Sequence, residues 1–88
     1  MDVVLCPVCH RDHMTMTVYP NSICNPCVVF HKPRTQDGHY ISFRKFNKML
    51  QLFVNGERKK DSLCFVNYVK CVASLNKYGA VVIQKVGN

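Results

Sequence analysis

Two cysteine pairs dominate this sequence: Cys6 and Cys9 in "LCPVCHRDH", then Cys24 and Cys27 in "ICNPCVV". Two residues separate the cysteines within each pair, and fourteen lie between the pairs. A two-residue spacer lets a tight knuckle aim both sulfurs at one point. Four such sulfurs complete a tetrahedral Zn2+ site with bonds of about 2.3 Å. The fourteen-residue interval suits a short hairpin that brings the pairs together. This doubled spacing is a strong metal signal, and it predicts one structural zinc on Cys6, Cys9, Cys24 and Cys27. Three other chemistries compete. A disulfide framework needs an oxidising compartment. A redox pair needs one CxxC in a βαβ setting, and iron–sulfur clusters use other spacings.

Such a staple suits an 88-residue chain, because a chain this short buries only about 60–65% of its unfolded surface. At 48% hydrophobic and 19% charged residues, the composition is globular. No apolar run reaches the roughly 20 residues of a membrane span. "MDVVLCPVC" has none of the basic start of a secretory signal. The expected setting is therefore cytoplasmic and reducing, where cysteines stay free for metal.

The second pair carries positional information. In "CNPCVVFHKP", Pro26 suits the first turn of a helix, with Cys24 or Asn25 as its cap and Pro33 as its stop. Knuckle, hairpin and cysteine pair at a short helix start resemble the treble-clef zinc fingers over residues 3–33, with the zinc ribbon as the near alternative. The resemblance implies a metal-stapled module and leaves function open, since such modules bind DNA, RNA and proteins alike. His10 and His13 flank the first pair, and the expectation for both is a surface or supporting role. "MTMTVYP" alternates at Met14, Met16 and Val18 and reads as a strand.

For residues 34–88 the hydrophobic spacing predicts two helices. Phe43, Phe46, Leu50 and Phe53 recur at helical intervals, so a helix is expected over about 42–55, capped by Ser42 and ended by Gly56. A second is expected over about 62–77, apolar nearly all round, with a polar stripe at Asn67, Lys70, Ser74 and Lys77. Cys64 and Cys71 would share one buried face of it, and its apolarity would suit a homodimer contact. "AVVIQKV" predicts a C-terminal strand over about 80–86, with "DVVL" as its partner. The expected fold is thus a small α+β single domain over 1–88: a zinc module (1–33) packed on a helical half with that strand (34–88).

Charge directs the functional expectation. The chain carries +7 net, which favours an anionic partner. Residues 32–60 hold Lys32, Arg34, Arg44, Lys45, Lys48, Arg58, Lys59 and Lys60 against Asp37 and Glu57. The leading expectation is a non-catalytic nucleic-acid-binding protein using these cations, DNA and RNA both open, with Arg34, His39 and Tyr40 available to stack on unpaired bases. The alternative is a regulator or inhibitor of viral or mobile-element type, docking on an acidic protein such as a polymerase, nuclease or toxin. A third expectation follows from treble clefs that resemble HNH or endonuclease VII-like nucleases, for which Asp12, His13 and Asn25 are fragments. The interval between the pairs is too short for the catalytic insert of that family. No glycine loop or nucleophile elbow suggests another enzyme.

Overall fold

A computed structural model describes residues 2–15, 19–76 and 79–87. It is built of strands, with one short helix: β1 (Asp2–Leu5), β2 (Asp12–Thr15), α1 (Asn25–His31), β3 (Ile41–Phe46), β4 (Met49–Val54), β5 (Glu57–Lys59), β6 (Asp61–Val66), β7 (Val69–Leu75) and β8 (Val81–Lys85). They form three antiparallel sheets, ordered β1-β2, β3-β4-β5 and β6-β7-β8.

Both expected helices are corrected to hairpins. Residues 42–55 fold as β3 and β4, joined by Asn47-Lys48, and a second turn at Asn55-Gly56 leads into β5. Residues 62–77 contain β6 and β7, joined by Asn67-Tyr68, with Lys77 outside the described residues. All six turn residues have positive φ, between 48° and 80°. That is what a two-residue type I′ turn demands, and it matches the twist of the strands it joins. The stripe Phe43, Phe46, Leu50, Phe53 does not survive as one face. Phe43 opposes Leu52 and Lys45 opposes Leu50 on the inner side, while Phe46 opposes Met49 and Phe53 opposes Ser42 on the outer. Helical and strand spacings both fit such a run, and the asparagine turns decide between them.

The second run is apolar nearly all round although only one face of β6-β7 is buried: the other face carries Leu63, 54% exposed, and the half-buried Phe65 and Val72. Cys64, Val66, Cys71, Ala73 and Ile83 point into the core. Such a strand loses the polar–apolar alternation that would reveal it. Cys64 and Cys71 are not one helical face but direct cross-strand partners. The dimer contact expected through helix 62–77 lapses with that helix.

The C-terminal strand forms as expected, but its partner is β7, while β1 pairs with β2. That pairing spans the first knuckle, so β2 folds back on β1 instead of forming a hairpin wholly between the cysteine pairs. Met16 and Val18 lie outside the described residues.

The segments bearing the second cysteine pair are stitched to the two edges of the β6-β7-β8 sheet. On the β8 edge, Ile23 N–H donates to the Ile83 carbonyl (2.7 Å) and Lys85 N–H to the Asn21 carbonyl (2.9 Å). On the β6 edge, Arg34 and Phe65 exchange backbone bonds of 3.2 and 2.7 Å. The chain from Ser22 to Arg34, including α1, therefore crosses the sheet from edge to edge. A buried cluster joins Cys6, Ile23, Cys24 and Cys27 to Ile41 and Leu52 and to the inner face of β6-β7-β8. Among the described residues no helix is long and apolar enough to cross a membrane.

Candidate metal centre

Cys6 follows β1, and Cys9 closes the turn after it. The knuckle is held by Cys6 N–H to the Arg11 carbonyl (2.9 Å) and His10 N–H to the Cys6 carbonyl (2.8 Å). His10 completes it in the left-handed region, φ 61°, a conformation most residues adopt only at a cost. Cys24 is the N-cap of α1, and Pro26 and the buried Cys27 lie in its first turn. Lys32 then turns left-handed (φ 49°) as the C-cap, and Pro33 follows. The short helix expected at the second pair is present, with Cys24 as its boundary.

This local folding gathers the four sulfurs within 4.8 Å of one another. Cys6 and Cys27 stand 3.9 Å apart, and Cys9 and Cys24 3.7 Å. A metal–sulfur bond of about 2.3 Å at tetrahedral angles gives an S–S edge of about 3.8 Å. The cluster therefore fits a four-thiolate ion, and all six cysteines are free of disulfides. Backbone donors complete the fit: Val8 N–H and Cys24 N–H both reach Cys6 Sγ at 3.4 Å. Burial acts to raise the Cys6 thiol. The backbone donors of Cys24, Cys9 and Val8 outweigh it and hold Cys6 at about 6, so it is a ready thiolate at neutral pH. Burial pushes Cys24 up, and burial followed by its hydrogen-bonded thiol neighbours pushes Cys27 up. A bound cation reverses that cost by attracting all four negative charges.

Neither flanking histidine joins the cluster. His10 shapes the knuckle, and His13 bonds through Nε2 to the Ser22 carbonyl at 2.9 Å. This bond ties β2 to the segment that delivers the second pair. Of the nuclease-like fragments, Asp12 is exposed on β2 and Asn25 is exposed at the start of α1.

The eight cations divide between elements. Arg44, Lys45, Lys48, Arg58, Lys59 and Lys60 are all exposed on or beside β3-β4-β5. Lys32 caps α1 and lines a hollow with Tyr40, Ile41 and Phe43. Arg34 bonds to β6, and its guanidinium lies 5.7 Å from the Tyr40 ring. Within the sheet, register places Arg44 and Arg58 on the outer face, each aligned with Gln51 or Phe53, and Lys45 and Lys59 on the inner face beyond the core. Lys48 occupies a turn. Sequence spacing missed two residues of this surface, Phe46 and Phe53, because both were read as core. The Asn55-Gly56 dipeptide is the signal that could have found them.

Comparison with protein-family models, with characterised proteins and with solved structures finds no match.

Proposed function

We propose that this protein is a small zinc-stapled module of treble-clef type that binds nucleic acid without catalysis. The observation that carries the reading is the cationic β3-β4-β5 sheet. Six basic residues stand there against one acid, Glu57, which is itself held by Lys59 at 3.3 Å. Phosphate contacts need such unneutralised, solvent-facing cations. Zinc is the metal that suits four thiolates at these distances. A closed set of four cysteines keeps no position for substrate, which supports a structural role. The order knuckle, strand, helix supports the treble-clef description.

The test is binding of the zinc-loaded protein to a labelled mixed-sequence oligonucleotide across a salt series. Log affinity should fall linearly with log salt, by roughly 0.7 to 0.9 per phosphate neutralised. Lys48→Ala and Lys60→Ala should each flatten that slope. Salt-independent binding, or none at low salt, removes the reading.

A second reading, docking on a protein partner, has its own support. Val3, Leu5 and Met14 are 60–65% exposed on one face of β1-β2, and Phe30 is 80% exposed on α1. Affinity that follows Leu5→Ser or Phe30→Ser and ignores the lysines would favour it.

A further inference from the structure

The outer face of β3-β4-β5 carries more than charge. Ser42, Phe53 and Arg58 stand side by side across the three strands, then Arg44 and Gln51, then Phe46 and Met49. Arg44 lies 5.6 Å from the Phe53 ring centroid, and Arg58 donates to Gln51 Oε1 at 3.3 Å. One guanidinium thus lies over Phe53, and a second is held beside it on Gln51. At the open end of the face, Phe46 and Met49 are 64% and 63% exposed. Adjacent exposed apolar side chains of this kind form a patch that a partner can cover.

Resting on the nucleic-acid reading above, we infer that this face is a stacking platform for an unpaired nucleic-acid strand. Phe53 and Phe46 receive bases, while Arg44, Arg58, Lys48 and Lys60 hold the backbone. A duplex keeps its base faces inside the stack, so it can satisfy the cations but not the rings. An unpaired strand satisfies both. Charge complementarity names the occupant. Among the described residues the only ion pair is Lys59–Glu57, which leaves Arg44, Lys48, Arg58 and Lys60 for phosphates. Flat rings beside guanidinium planes match a base, a flat and polarisable partner.

The experiment compares three labelled probes of about 12 nucleotides, a length within the reach of one small sheet module: oligo-dT, oligo-U and a mixed-sequence DNA duplex. The zinc-loaded full chain binds each at one salt concentration. At least one single strand should bind roughly 10-fold tighter than the duplex. Phe46→Leu and Phe53→Leu keep apolar bulk and remove the ring, so both should remain folded. Each should weaken single-strand binding roughly 5- to 100-fold, with duplex binding and the salt slope unchanged. Phe46 is mostly in water, so its variant stays informative even if Phe53→Leu unfolds. If both variants bind single strands as the parent does, while Lys48→Ala still flattens the salt slope, the platform is wrong and the charge reading stands. If no probe binds at low salt, both fall together.

Discussion

His10 holds a left-handed backbone position of the kind that glycine adopts most readily. Its φ of 61° costs an ordinary side chain about 1 kcal/mol, and its exposed ring is outside the sulfur cluster. His10→Gly should therefore raise stability by about 1 kcal/mol, or leave it unchanged, with metal content still one per chain. Loss of metal in that variant, read by elemental analysis, would make His10 a ligand. The thiols set a pH dependence at this same scale. The Cys6 pKa is about 6 in the fold against 9.0 for a free thiol. A lowered value contributes stability that is complete above 9 and fades as pH falls toward 6. Burial of Cys24 and Cys27 works in the opposite sense only while they lack metal. With metal, all four are thiolates, and the folded state binds fewer protons than the unfolded chain. Melting temperature at fixed metal should rise from pH 6 to pH 9. A flat or falling profile would exclude thiolate ligation. The site was legible in the sequence because its ligands are set by spacing within two short motifs, and neither depends on the rest of the fold.

At the scale of elements the sequence misled, and the turns explain how. Phe43, Phe46, Leu50 and Phe53 satisfy a helical period, yet the chain reverses at Asn47-Lys48 and Asn55-Gly56. Asparagine tolerates the left-handed region, and Asn-Gly is the strongest short hairpin signal. Reading Gly56 as a helix end used the right conformational property for the wrong element. The β6-β7 run was harder, since Leu63, Phe65 and Val72 on its outer face hide the strand period. Its Val, Phe and Tyr content was the remaining clue. The turns give an opposed pair of predictions. Gly56 has φ 80° with open space around an added Cβ, so Gly56→Ala should cost about 1 kcal/mol from backbone strain alone. Tyr68 holds φ 67° with its side chain 97% exposed. Tyr68→Gly loses almost no packing and relieves that strain, so it should stabilise by about 1 kcal/mol. For a domain this size that is roughly 4–8 °C in melting temperature. Equal and same-signed effects in thermal melts would contradict the type I′ geometry.

For the molecule as a whole, three of the four clustered cysteines, Cys6, Cys24 and Cys27, also belong to the buried core. Among the described residues the largest side chains with almost no exposure are Leu52, Val66, Cys6, Cys64 and Cys71, a thin set for three sheets. Burial pushes Cys64 up to about 12 and Cys71 up to about 11, so both remain neutral thiols and pack as small apolar groups. The chain from Ser22 to Arg34 carries Cys24 and Cys27 and also closes both edges of the β6-β7-β8 sheet. A metal held by the four sulfurs would thus fix the segment that covers the sheet, not only the knuckle. Removing it leaves four sulfurs crowded in a core with no apolar substitute, and metal binding of this kind supplies about 10 kcal/mol or more. Chelation should therefore abolish the cooperative melt and expose thiols. In the metal-loaded protein a thiol reagent should react slowly with every cysteine. After chelation all six should react quickly, Cys64 and Cys71 included, although neither is a ligand. Restoring zinc to 100 times its dissociation constant should recover about 2.7 kcal/mol. The decisive comparison is the pair Cys64 and Cys71 after chelation. If they stay protected while the other four react, the β6-β7-β8 sheet stands without its metal-held cover. If all six react together, the metal holds the whole fold.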